Sequence, residues 1–130
     1  MNWIFFHSNK HFEDLKSWWE YWGGAKMFSP EILSTTGVIV RKNDIDLCAG
    51  WLYRSDSDLG YIGFIIMNPK ANKLDRAGCI EYLLDVLHDL ARKHGIKVLF
   101  GSIENKNLVN RMKEKGYIFA GESTNLILQL

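Results

Sequence analysis

The stretch YIGFIIM (Tyr61–Met67), closed by Asn68–Pro69, constrains this chain more than any other segment. Ile62, Phe64 and Ile66 face one way, Ile65 and Met67 the other, with small Gly63 between them. A strand apolar on both faces must be covered on both, so it belongs inside a sheet flanked by helices. The polar loop after Pro69 leads into a helix expected from about Lys73 to His94. Ile80, Leu83, Leu84, Leu87, Leu90 and Ala91 form its buried stripe, and Gly95 stops it.

The other elements arrange themselves around that pair. Trp3–His7 is a short apolar strand. Phe12, Leu15, Trp18, Trp19 and Trp22 then recur at helical spacing until Gly23–Gly24. Phe28–Leu33 holds a helical turn with Ser29 before Pro30. Thr36–Lys42 and Leu47–Arg54 read as a hairpin, and Lys97–Ile103 as a strand. Asn105–Lys115 is a second amphipathic helix, with Leu108, Val109 and Met112 on one face. YIFAGE and NLILQL read as a closing antiparallel pair. The order is β-α-(α)-β-β-β-α-β-α-β-β, an α/β (α+β) fold with a mixed, mostly antiparallel sheet and helices on both faces. Its 130 residues suit one domain, 1–130.

A net charge of +1 gives no electrostatic reason to expect nucleic acid or an anionic membrane as partner. Cys48 and Cys79 lack CxxC or disulfide-rich spacing, and the N-terminus has no leader-like apolar run, so a cytoplasmic location is expected. The histidines and cysteines lack zinc spacing, and DSDLG lacks the closing glutamate of a calcium loop, so no metal is expected.

Three stretches give the chain a family resemblance: CAGWLY, FIIMNP before a loop and long helix, and NKNLVNRMKEKGY, in which Asn105 precedes Gly116–Tyr117 by eleven residues. Together with the element order they resemble the GNAT superfamily of acetyl-CoA-dependent N-acetyltransferases. Compact proteins of this pattern also occur among bacteriophage genes. The resemblance implies a groove between the fourth and fifth strands. There acetyl-CoA, the co-substrate, would lie along Ile66 and Met67, with Asn105 at the exit of the fifth strand. The pyrophosphate would sit at the start of the long helix, over Lys73, Arg76, Ala77, Gly78 and Cys79, where free amides and the positive end of the dipole converge. The acceptor would be an amine on a small molecule or a protein, and the protein a monomer or homodimer.

The same residues depart from the family pattern. Asp75 stands where an arginine or glutamine is usual, and Ile80 replaces a glycine. Asn72 and Asp75 read equally as a capping pair that consumes the helix's own amides. Met112 takes the register of the family's general-acid tyrosine, and Tyr61–Met67 holds no acid. Tyr53, Tyr61, Tyr117, His88 or a water would have to move the proton, Tyr61 first because it lies on the central strand. The tryptophan helix borders the acceptor side in such folds, where Tyr21 lies off the packed stripe. Two functions follow: an acyl-CoA-dependent N-acyltransferase, or a GNAT-fold protein that binds or inhibits without catalysis.

Overall fold

A computed structural model of the chain describes residues 1–23 and 28–130. Gly24, half of the expected helix stop, lies outside the described residues. The chain runs β1 (Asn2–Phe5), α1 (Ser8–Tyr21), a 3-10 turn (Pro30–Ile32), β2 (Thr36–Lys42), β3 (Ile45–Arg54) and β4 (Leu59–Met67). It continues through α2 (Lys73–Arg76), α3 (Cys79–Lys93), β5 (Val98–Phe100) and α4 (Lys106–Glu114). One sheet has the order β1-β2-β3-β4-β5. Its first three pairings are antiparallel and β4–β5 is parallel. The mixed α/β architecture expected from the sequence is present.

The sheet separates two cores. On one face Leu83, Leu84 and Leu87 of α3 pack with Val38, Val40, Leu52 and Ile62. On the other, Leu15 and Trp18 of α1 pack with Phe6, Phe28, Ile39, Trp51 and Ile66. The expected single core around Ile62, Phe64 and Ile66 is therefore corrected. Ile62 belongs to the α3 core, whereas Phe64 and Ile66 belong to the α1 core. The cause is a bulge. Ala49 pairs with Ile66 and Trp51 with Gly63, so β4 spends one extra residue opposite Gly50. Phe64 there has φ 55°. An inserted residue shifts every later side chain to the other face, which strict period-two reading cannot anticipate.

Three boundaries also differ. The long helix begins at Cys79 rather than Lys73, because Gly78 at φ 78° breaks the run into α2 and α3. A left-handed residue cannot continue a right-handed helix, and glycine adopts it without steric cost. β5 is only Val98–Phe100, since β4 leaves it beyond that point. Residues 117–130 form no strand. Side-chain alternation shows what a segment can do, but a strand also needs a partner's backbone, and here Ile118, Phe119, Leu126, Ile127 and Leu128 remain exposed.

Candidate active site

The parallel pairing of β4 and β5 covers Leu59↔Val98, Gly60↔Leu99 and Tyr61↔Phe100 only. β4 then runs on to Met67 without a β5 partner. The expected parting near Met67 and Gly101 comes earlier, at Tyr61 and Phe100. The Asn68 amide donates to the Leu47 carbonyl at 2.8 Å, on the β3 side. Across a trans peptide the Met67 carbonyl must point the opposite way, into the gap.

A groove of about 490 Å³ occupies this gap. Ile65, Ile66 and Met67 of β4 form its floor, and Ile80 borders it from α3. Asn105, Asn107, Leu108 and Arg111 line it from α4 and its cap, and Trp19 and Trp22 close it from the α1 side. The Trp22 indole N–H spans the mouth and donates to the Met67 carbonyl at 2.8 Å. The sequence put the tryptophan helix beside the acceptor side but singled out Tyr21, which is not among these lining residues. Helical spacing put both tryptophans in the core stripe, yet Trp22 is 52% exposed and outside the core.

The corner after β4 is built locally. The Asn68 side chain donates to the Asp46 carbonyl at 2.8 Å and accepts from the Lys70 amide at 2.9 Å, fixing the turn around Pro69. Asn72 then caps α2, its side chain accepting from the Asp75 amide at 2.8 Å. The amides of Arg76 and Ala77 are also spent inside α2, on the carbonyls of Asn72 and Lys73. The expectation of free amides across Arg76–Cys79 is thus corrected at its first two residues.

The capping pair nevertheless serves the short helix alone. α3 starts afresh at Cys79, with Gly78 before it and no side-chain cap. Its first-turn N–H groups therefore carry the unsatisfied donors and the positive end of a fifteen-residue helix. The Asp75 carboxylate is drawn toward Lys42, at 3.7 Å. The Arg76 Nε is buried without a partner, while its Nη1 contacts the Met67 sulfur at 3.5 Å. Cys79 is fully buried, and the neighbouring Cys48 thiol holds its thiol below the ordinary value. Burial drives Cys48 the other way. Cys79 therefore lies in the core and outside the groove lining, its carbonyl accepting from the Cys48 thiol at 3.4 Å.

Ile66, Met67 and Asn105 come together in the groove, with Arg76 tied to Met67. Lys73, Ala77 and Gly78 sit at the α2–α3 junction with exposed surfaces. Asn105 is also a helix cap, accepting from the Leu108 amide at 3.1 Å. Tyr61 is outside the groove lining and stands at the fork where β4 leaves β5. The other proton carriers named from sequence lie elsewhere. The Tyr53 hydroxyl donates to the Ile32 carbonyl, and burial pushes its pKa up to about 12. Tyr117, likewise pushed by burial to about 12, bonds His88 at 2.7 Å between α3 and the end of α4. Met112 is buried in the α3 core.

No protein-family model matches the sequence, and no curated protein matches it. Solved structures do match its fold. N-acetylglutamate synthase from Neisseria gonorrhoeae, complexed with coenzyme A and L-arginine, aligns with TM-score 0.75 and 22% identity over 92% of this chain. The chain spans 28% of that synthase. A predicted acetyltransferase from Clostridium acetobutylicum, solved with acetyl-CoA, aligns with TM-score 0.68 and 15% identity, covering 97% of this chain and 95% of the other. An acetyltransferase from Trypanosoma brucei gives TM-score 0.67 at 11% identity, over 98% and 99%. A forked sheet with a groove at the fork, and these alignments along almost the whole chain, give the protein the fold of the GNAT acetyltransferases.

Proposed function

We propose that the protein is an acyl-CoA-dependent N-acyltransferase, acting as one domain, that moves an acetyl group from acetyl-CoA to an amine. The observation that carries this reading is the coincidence of two unsatisfied features. β4 parts from β5 beyond Tyr61, and the groove so opened reaches the uncapped start of α3. The residues fit the donor. The first-turn amides of α3 supply donors for a pyrophosphate, with the half-buried Arg76 and the exposed Lys73 adding charge beside them. Ile66, Met67 and Asn105 line the channel for an extended amide arm.

When bound, acetyl-CoA supplies the activated acetyl group. The chain's part is to hold it straight, to present a β4 amide to the carbonyl oxygen, and to exclude water with Trp19 and Trp22. Tyr61, half-buried at the fork, is the proposed carrier of the displaced proton through water.

Calorimetric titration with acetyl-CoA tests the reading. Arg76→Ala is expected to weaken binding about tenfold, with a greater loss at low salt than at high salt. Asp75→Asn is expected to tighten it by up to about threefold by removing a negative charge beside the phosphates, since the Lys42 pair is partly exposed and screens it incompletely. A reading as a binding module without catalysis is favoured by one observation: the described residues lining the groove include no carboxylate and no histidine. It predicts acetyl-CoA binding with no thiol release on any amine.

A further inference from the structure

The groove's acceptor side has a chemistry of its own. Trp19 and Trp22 wall it, and neither indole offers it a polar atom. The Trp22 N–H is spent on the Met67 carbonyl at 2.8 Å, and the Trp19 N–H is buried. That bond joins residues 45 apart in sequence and fixes the Trp22 ring across the mouth. Behind Trp19 the aromatic surface continues to Phe64, ring centroids 5.7 Å apart, at the β4 bulge. Among the described residues, the one charged group lining the groove is the Arg111 guanidinium, 3.6 Å from Glu81.

We infer, resting on the N-acyltransferase reading above, that the acceptor is an arylamine, a primary amine bonded directly to an aromatic ring. An alkylamine titrates near the lysine value, about 10.4, and reaches a protein at neutral pH as the ammonium ion. It must lose a proton before it can attack, and among the described residues lining the groove none is a carboxylate or histidine that could take it. The ammonium would also meet the Arg111 guanidinium, and the Glu81 carboxylate beside it is already drawn to Arg111 at 3.6 Å. The indole faces attract cations, but that attraction holds the unreactive form and does not remove its proton. An arylamine avoids the problem because its nitrogen lone pair is delocalised into the ring and remains unprotonated at neutral pH. Its flat apolar ring suits two indole faces. The nitrogen forms the bond to the acetyl carbon as the carbon–sulfur bond breaks, and the surplus amine proton passes through water, by way of Tyr61, to the departing thiolate. No carboxylate is needed at any stage.

The test uses the full chain with acetyl-CoA and three probes: 4-methylaniline, benzylamine and 1,5-diaminopentane, following thiol release. The expected result is a kcat/KM for 4-methylaniline at least about tenfold above both alkylamines at neutral pH. It should be nearly flat from about pH 6 to pH 8, while the benzylamine rate climbs about tenfold per pH unit as free base appears. Trp22→Ala should raise the KM for 4-methylaniline about tenfold with the KM for acetyl-CoA changed far less, and Trp22→Phe should restore most of it. Preference for either alkylamine, equal use of all three, or binding of acetyl-CoA with no transfer to 4-methylaniline would overturn the inference while leaving donor binding intact. Failure to bind acetyl-CoA at all would overturn the parent reading, and this inference with it.

Discussion

Replacing Trp51 with alanine is expected to destabilise the protein by about 3–5 kcal/mol, the usual range for truncating a buried large aromatic. Trp51 is fully buried on β3, at the centre of the α1-side core. Its ring meets Phe6 edge-on at 5.1 Å and Phe28 at 5.8 Å. The indole lies over Gly37 on the paired strand, where any Cβ would collide with it. No neighbour can therefore collapse cheaply into the space it leaves. Its N–H is buried without a partner, so Trp51→Phe removes an unsatisfied donor and leaves a smaller void. The phenylalanine variant should lose clearly less than the alanine variant. Urea unfolding with an unchanged m-value measures both.

The second large effect lies on the opposite face. Leu84→Ala is expected to cost about 2–5 kcal/mol. Leu84 is fully buried on α3, in the core with Leu83, Leu87 and Ile62 that fastens the helix to the sheet. Because the sheet separates the two cores, the Trp51 and Leu84 losses should add to within about 0.5 kcal/mol in the double variant. A strongly non-additive result would mean that the two faces are mechanically coupled through β3 and β4. The starts of α3 and of the groove depend on the same packing, so Leu84→Ala should also weaken acetyl-CoA binding.

The sequence made the scaffold legible where periodicity and punctuation agree. The leucine stripe of α3, the doubly apolar β4 and the glycine stop at Gly95 all describe short-range constraints, and all appear in the fold. The bulge at Phe64 was hidden because it depends on the register with β3, not on β4 alone. The break at Gly78 was partly visible. Glycine stands at the position, but it reads as part of a phosphate-binding turn inside one helix from about Lys73, although the apolar stripe begins only at Ile80. That break answers the question posed by Asn72 and Asp75. They do cap a helix, and it is α2, so the amides at the start of α3 are left for something else. The strand pair expected at the C-terminus failed for the opposite reason. Alternation was present and a backbone partner was not. Trp22 was misjudged because helical spacing gives the face of a side chain and cannot say that the sheet ends before reaching it.

On the proposed function, the forked groove and the uncapped start of α3 together hold acetyl-CoA. Titration of the full chain with acetyl-CoA by calorimetry measures this directly, with Arg76→Ala titrated alongside. One-to-one binding is expected, about tenfold weaker in the variant and tighter as salt is lowered. No binding heat, and no protection of Tm, at about millimolar acetyl-CoA would contradict it, since a ligand at many times its Kd must stabilise the folded state.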